Sequence, residues 1–197
     1  MTDALVRALR GTSPPEVLAV ALGVLYALLV LKRNRLGWIA GGASSMIYIV
    51  LAARADLPMQ SALQCYYVLM SIYGWFSWSR SQQQGGGIAV WPLRLHVRAW
   101  LAIAALSVLT AHWLQRETHA AWPYLDSMTT WVSLFATWLV ARMKLENWLY
   151  WIGTDAVVVF LYTMQGYLFS AGLYLIYLLV ATVGFLEWRQ KYRLQPA

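Results

Sequence analysis

The most constraining feature of this chain is a stretch of forty residues, from Asn147 to Leu186, that contains one charged side chain, Asp155. A membrane-spanning helix needs about 20 predominantly apolar residues, so this stretch is long enough for two spans. QGYLFSAG, at residues 165–172, supplies the turn between them. Of all 197 residues 60% are hydrophobic and 12% are charged, whereas a soluble domain is about 25% charged. The chain is therefore predicted to be a membrane protein with several spans.

The hydrophobic pattern predicts an all-α membrane protein with seven transmembrane helices. Lipid offers the backbone no hydrogen-bonding partner, so each apolar segment is expected to be helical. The spans are predicted at residues 16–31, 36–53, 58–79, 98–115, 123–141, 146–165 and 167–187. Outside them we expect an N-terminal extramembrane segment (1–15), a flexible cytoplasmic linker without a site of its own (81–97, containing SQQQGGG) and a cytoplasmic tail (191–197).

The net charge of +7 is explained by basic residues in the short loops between spans. Lys and Arg are enriched on the cytoplasmic side of membrane proteins. With the N-terminus in the periplasm, eleven of the 15 basic residues fall on the cytoplasmic side: Lys32, Arg33, Arg35, Arg80, Arg94, Arg98, Arg142, Lys144, Arg189, Lys191 and Arg193. The C-terminus is therefore predicted to be cytoplasmic, and the charge gives no reason to expect a nucleic-acid partner.

An internal repeat relates the two ends of the chain. Moving residues 16–80 along by 110 positions, without gaps, gives nine identities in 65 residues. Rare residues coincide, and so do the boundaries of the spans. The coinciding pairs include Trp38 with Trp148, Gly74 with Gly184, Trp78 with Trp188 and Tyr67 with Tyr177.

The repeat explains why there are seven spans. A three-helix unit ends on the side of the membrane opposite to its start, so one additional span must separate two parallel copies. Residues 98–115 have no counterpart in the repeat and can serve as that span. We predict a 3+1+3 arrangement of parallel repeats, 16–80 and 123–190. Transporters with parallel repeats bind their substrate near the bilayer midplane, at the repeat interface.

The sixth span carries a potential binding face. Trp148, Trp151 and Asp155 are spaced i, i+3 and i+7, so they lie on one side of a helix. Asp155 is near the middle of the span, where a charge costs at least about 2.5–3.5 kcal/mol on insertion scales. The same face of the first repeat carries Trp38, Gly41, Ser45 and Tyr48. If the two faces meet, the gap at Gly41 leaves room for a flat ring.

An aromatic wall next to a carboxylate favours a flat organic cation as the ligand. Cation–π attraction contributes about 0.5–2 kcal/mol, and the carboxylate balances the charge of the ligand. Other interpretations stay open at this point: Trp148 as an interfacial anchor, Trp151 as packing only, and Asp155 as hydrogen-bonded to a neighbouring helix. Asp155 could also be the proton-binding group of a symporter.

Polar side chains on the other helices complete the set of candidates. Gln64 and Tyr67 lie on a polar stripe of the third span, for which interhelical hydrogen bonding is the alternative role. The candidate binding residues are Trp38, Ser45, Gln64, Tyr67, Thr130, Asn147, Trp148, Trp151, Asp155, Tyr174 and Tyr177. Asp126 and Glu16 coincide under the shift and begin their helices, so capping and dipole pairing are predicted for them, and Asp56 is predicted to be an N-cap.

Enzymatic chemistry finds no support in the sequence. GxSG, HExxH, P-loop and GxGD motifs are missing, so no catalytic residue, metal site or cofactor is expected. Cys65 is predicted to be a buried, unreactive thiol. His96, His112 and His119 are scattered near span ends and are predicted to be solvated or interfacial.

Several segments resemble a known family. LENWLYWIGTDAVVVFLY followed by GYLFSAGLYLIYLLVATVGFLEWR (145–189), WPYLDSMTTWVSLFATWLVAR (122–142) and SALQCYYVLMSIYGWFSWSR (61–80) are similar to bacterial nicotinamide riboside transporters, the PnuC family. The resemblance covers roughly residues 16–190. Related carriers of the same fold transport thiamine or riboflavin, and the eukaryotic SWEET sugar carriers are distantly similar.

The resemblance implies a bacterial inner-membrane carrier that passes a vitamin down its gradient. Phosphorylation by an intracellular kinase then traps the substrate. The tryptophan pair of the family matches Trp148 and Trp151, and Asp155 stands where family members can have asparagine. Nicotinamide riboside is the expected substrate, and thiamine is the alternative, since both are aromatic cations. The other expected partners are membrane lipid and, as an open possibility, a second copy of the chain.

Overall fold

The structure of this chain is a computed structural model, which describes residues 13–54, 58–83, 85–117 and 122–195. It contains seven helices: α1 (Pro14–Leu31), α2 (Leu36–Arg54), α3 (Pro58–Gln83), α4 (Leu93–Glu117), α5 (Pro123–Ala141), α6 (Asn147–Met164) and α7 (Leu168–Arg193). The described residues form no β-strand, only one isolated bridge between Ala89 and Lys144. The all-α prediction is therefore confirmed.

Four of these helices, α1, α2, α4 and α7, are long and apolar enough to cross a membrane by length and composition. The other three, α3, α5 and α6, carry polar side chains that line an internal cavity. Helix α3 extends to Gln83 and α4 begins at Leu93, so both enter the predicted linker. Polar residues such as Arg, Gln and Ser are tolerated in helices, which allows a helix to continue beyond its apolar part.

Six of the helices form a closed ring. Going around it, α1 packs against α2, α2 against α3, α3 against α5, α5 against α6, α6 against α7, and α7 against α1. Helix α4 packs against α5 outside this ring. Each end of the chain therefore contributes three consecutive helices, and the two sets meet at the α3–α5 and α1–α7 contacts.

The turns after α1 and α5 have the same backbone conformation. Arg33 and Met143, which are 110 positions apart, have positive φ angles of 58° and 50°. Asn34 N donates to Leu29 O over 2.8 Å, and the equivalent Lys144 N donates to Leu139 O over 2.9 Å. A left-handed residue just after a helix allows such bonds to the last unpaired carbonyl groups.

Four buried tryptophans pack in a row where the two sets of helices meet. The ring centroids are 5.6 Å apart for Trp38 and Trp78, 6.1 Å for Trp78 and Trp188, and 5.4 Å for Trp188 and Trp148. All four side chains are at most 4% exposed. We call them the tryptophan cluster.

The tryptophan cluster also connects the two sets of helices by hydrogen bonds. Trp78 Nε1, on α3, donates to Val140 O at the end of α5 over 3.1 Å. Trp188 Nε1, on α7, donates to Leu31 O at the end of α1 over 3.0 Å. Each set of three helices therefore supplies a donor from its last helix and an acceptor from its first helix.

Residues 89–91, between α3 and α4, are hydrogen-bonded to the turn between α5 and α6, and the flexibility predicted for the linker stays a prediction. Ala89 N donates to Met143 O over 3.1 Å and Ala89 O accepts from Leu145 N over 2.9 Å. Trp91 N donates to Glu146 Oε1 over 2.7 Å. The composition of SQQQGGG is typical of a flexible segment, but these bonds are formed by the residues that follow it and by a distant turn.

Three side-chain predictions can be compared with the structure. Cys65 is exposed on the outside of α3, so the prediction of a buried thiol is wrong. The side chain of His96 is 14% exposed and its Nδ1 lies 2.9 Å from Tyr150 Oη, so the solvated alternative is wrong and the interfacial one stays a prediction. His112 is exposed, as predicted. Asp56 and His119 lie outside the described residues.

Candidate functional site

A cavity of about 410 Å³ lies inside the ring, and all six ring helices contribute to its wall. Small-molecule sites usually occupy about 300–1,000 Å³, so this volume is sufficient for a small ligand. One end of the cavity is open, since its lining residues Asp126 and Gln60 are exposed. At the other end the lining residues Val30 and Val140 are at most 2% exposed, and two members of the tryptophan cluster form the wall.

Most of the candidate binding residues line this cavity. The lining includes Trp38, Ser45, Gln64, Tyr67, Thr130, Trp148, Trp151, Asp155, Tyr174 and Tyr177. The helical spacings predicted that these side chains face inward, and the structure places them on the cavity wall. Their role as ligand contacts stays a prediction.

Asn147 does not line the cavity. It is the first residue of α6 and is fully buried. Its Nδ2 donates to the Lys144 carbonyl over 2.6 Å, so the side chain turns back onto the preceding turn. This local bond leaves Trp148 as the first residue of α6 that reaches the cavity.

Asp155 is buried and has no partner among the residues that the structure describes. Its side chain lines the cavity although the residue is only 3% exposed. No ion pair or hydrogen bond connects it to another described residue, so the structure does not show the alternative of a bond to a neighbouring helix. Tyr174 and Tyr177 lie within electrostatic range of it. A buried carboxylate needs compensation, and without a partner in the described part of the chain this is supplied either by a bound proton or by a group inside the cavity.

The charges that line the cavity are all negative. Asp126 and Asp155 are the charged side chains among its described lining residues, and neither Lys nor Arg occurs there. The chain as a whole has a net charge of +7. A cation in the cavity would therefore be attracted, whereas an anion would find no positive group to pair with.

The gap expected at Gly41 is filled by Tyr26. A Cβ atom on Gly41 would lie 2.8 Å from Cδ2 of Tyr26, so the tyrosine ring packs directly on the glycine. That ring also contacts Trp38 edge-on, with the centroids 5.6 Å apart. The prediction of an empty space at Gly41 is therefore wrong, and the cavity wall beside Gly41 is aromatic.

Sequence reasoning missed Tyr26, although the repeat contains a signal for it. Under the shift of 110 positions Tyr26 matches Ala136, and Gly41 matches Trp151. One repeat thus has the aromatic residue on its first helix and the small residue on its second, and the other repeat has the reverse. Both Tyr26 and Trp151 line the cavity.

Hydroxyl groups were also missed. Ser44 and Thr154, which match under the shift, both line the cavity. Ser44 Oγ donates to Ala19 O over 2.7 Å, whereas Thr154 Oγ1 is buried without a hydrogen bond to a described residue. Thr137 and Tyr162 also line the cavity.

Asp126 does not cap α5. The N-cap position is Trp122, and no side chain forms a capping hydrogen bond there. Asp126 is in the first turn of the helix, where a negative charge is favourable, and it lines the open end of the cavity. The capping prediction is wrong because Asp126 lies four residues after the N-cap. Glu16 is in the first turn of α1, but it is not a lining residue.

Comparison with known proteins gives consistent results. The family model for the nicotinamide mononucleotide transporter matches residues 13–190. The nicotinamide riboside transporter PnuC of Escherichia coli K12 is 25% identical over 199 residues, which covers 85% of this chain and 83% of that protein. The riboflavin/roseoflavin transporter RibM of Streptomyces davaonensis is 26% identical over 175 residues, which covers 85% and 80%.

A solved structure has the same fold. The crystal structure of the vitamin B3 transporter PnuC superposes with a TM-score of 0.71 and covers 96% of this chain and 86% of that one. The sequence identity is 22%, so this similarity describes the fold alone.

Proposed function

The chain belongs to the nicotinamide mononucleotide transporter family, and from that premise we propose that it carries nicotinamide riboside across the bacterial inner membrane. The observation that carries this proposal is Asp155, a buried carboxylate on the cavity wall with no partner among the described residues. The nicotinamide ring is flat and carries a positive charge. It would stack on Trp151 and balance the charge of Asp155.

The charges on the cavity wall also bear on which derivative is carried. A nucleotide carries a phosphate group, and phosphate recognition normally uses Arg or Lys. None of the described lining residues is Arg or Lys, and the two charged ones are acidic. The nucleoside therefore fits this wall better than the nucleotide named in the family description.

Thiamine is the second candidate, because it is also an aromatic cation and satisfies Asp155 in the same way. Riboflavin, the substrate named for the relative RibM, is neutral and would leave the carboxylate without a counter-charge. The cavity therefore favours a cationic vitamin over a flavin. It does not favour either cation over the other.

Transport is proposed to occur by facilitated diffusion with alternating access, in which two three-helix repeats rock around the central cavity. The 3+1+3 arrangement is supported by the matching turns at Arg33 and Met143 and by the reciprocal tryptophan bonds. If the N-terminus is periplasmic, the open end of the cavity faces outward. An intracellular kinase would then phosphorylate the substrate and trap it.

Uptake into proteoliposomes tests this function. The purified chain is expected to take up labelled nicotinamide riboside, and unlabelled nicotinamide riboside should compete better than thiamine. Stronger competition by thiamine would identify the second candidate instead. Nicotinamide mononucleotide should compete poorly, and efficient competition by it would contradict the charge argument.

Proton coupling is a separate candidate mechanism, which the unpartnered carboxylate of Asp155 favours. The same proteoliposomes distinguish it from facilitated diffusion. Facilitated diffusion predicts uptake that is unchanged by an imposed pH gradient. An inward proton gradient that drives accumulation above the external concentration would establish a symporter.

A further inference from the structure

The cavity has a second carboxylate, that of Asp126, at its open end. Asp126 is exposed, lines the cavity and forms no capping bond to α5. Within the described part of the chain no hydrogen bond or ion pair involves its carboxylate. A group at this position is available to a molecule that enters the cavity.

Tyrosine rings line the wall between the two carboxylates. Tyr162, within electrostatic range of Asp126, has its ring centroid 5.5 Å from that of Tyr174. Tyr174 is in turn 5.8 Å from Tyr177, and both are within electrostatic range of Asp155. All five side chains line the same cavity. An aromatic cation moving inward would therefore pass along aromatic faces from one carboxylate to the other.

We propose that Asp126 and Tyr162 form a separate outer site, which binds a flat organic cation transiently before it reaches Asp155. This inference rests on the proposed function, since it assigns to the same substrate a second position in the same cavity. At the outer site the cation exchanges part of its hydration shell for a carboxylate and a tyrosine face. It remains in contact with water there, because Asp126 is exposed.

The two carboxylates have different kinetic roles in this arrangement. A charge at the rim of a site mainly increases the association rate, and this effect is screened by salt. A buried charge that pairs with the ligand mainly slows dissociation. Asp126 therefore increases the association rate constant of the ligand, and Asp155 lowers its dissociation rate constant.

The experiment measures both rates directly. The full chain is placed in nanodiscs, and nicotinamide riboside is mixed in by stopped flow while quenching of tryptophan fluorescence is followed. We expect Asp126→Asn to lower the association rate constant by about threefold to tenfold at low salt. Its dissociation rate should be unchanged, and its association should depend less on salt. Asp126→Glu, which keeps the charge, should restore most of the rate.

Glu16→Gln is the matched control. Glu16 is also an acidic residue in the first turn of its helix, and it matches Asp126 under the repeat, but it does not line the cavity. Because Glu16 is within electrostatic range of the lining residue Tyr48, we expect its removal to slow association only slightly, and much less than Asp126→Asn does. A similar slowing in both variants would mean that the general field of the protein attracts the ligand, which would overturn the outer site.

Two further results would contradict the proposal. An unchanged association rate and salt dependence in Asp126→Asn would show that the outer site does not exist. A faster dissociation rate in that variant would place Asp126 in the central site. Asp155→Asn tests the proposed function separately: if its affinity for nicotinamide riboside equals that of the unmodified chain, the central site is wrong, whatever Asp126 does.

Discussion

Replacing Gly184 by alanine tests whether the glycine is required to seat a tryptophan of the cavity wall. The new Cβ atom would lie 2.8 Å from Cδ2, Cε2 and Cε3 of Trp148. Carbon atoms normally approach to about 3.5–4.0 Å, so the ring must move by roughly 0.7–1.2 Å. Trp148 is 4% exposed and packs on the fully buried Trp188, which limits its freedom to move.

The magnitude follows from two opposing terms. Inserting a methyl group into a well-packed interior costs about 1–3 kcal/mol, whereas alanine in place of glycine within a helix gains about 0.5–1 kcal/mol. Gly172 is the matched control, since it lies on the same helix and its Cβ would meet nothing within 4 Å. Gly172→Ala should therefore show only the increase in stability that alanine gives in a helix. The difference in stability between the two variants should be about 1–3 kcal/mol, with Gly184→Ala the less stable.

Thermal unfolding in detergent, followed by tryptophan fluorescence, measures this difference. Binding of nicotinamide riboside gives a second result, because Trp148 lines the cavity and the displaced ring would enter it. Gly184→Ala should bind more weakly, and Gly172→Ala should bind normally. If Gly184→Ala were as stable as the control and bound equally well, the ring of Trp148 would not be seated on Gly184.

Three other predictions use the same assays. Asp155→Ala should reduce uptake more than Asp126→Ala, and equal, near-native uptake in both variants would remove Asp155 from the site. Gly41→Ala should displace the ring of Tyr26, whose Cδ2 would lie 2.8 Å from the new Cβ, and should lower affinity; unchanged binding would show that this wall is not used. Trp188→Phe removes the N–H that bonds to α1 over 3.0 Å and should lower the free energy of unfolding by about 1–3 kcal/mol; a melting temperature equal to that of the unmodified chain would contradict this.

The sequence predicts the helices and most of the cavity wall because both depend on local periodicity. Trp148, Trp151 and Asp155 share a face once their segment is helical, and a single charge in a long apolar segment has to face inward. The repeat adds the matching face of the other half. These inferences need no knowledge of how neighbouring side chains pack.

The predictions that are wrong concern side chains whose surroundings are determined by a neighbouring element. The space at Gly41 is filled from α1, and one helix alone cannot show which neighbour fills a gap. Cys65 lies in an apolar segment whose residues face both outward and inward. Hydrophobicity alone therefore does not indicate whether its thiol faces the interior or the outside. Asn147 is held by a hydrogen bond that depends on the conformation of a turn.

The reciprocal bonds of Trp78 and Trp188 have a consequence for how such a molecule can be assembled. Two copies of one chain related by a twofold axis always contact each other in this way, because each copy supplies the same donor and the same acceptor. The contact between the two sets of helices in this single polypeptide thus has the form of a homodimer interface. Each set of three helices carries both a donor and an acceptor, so a second copy of the same three helices would supply everything this contact requires.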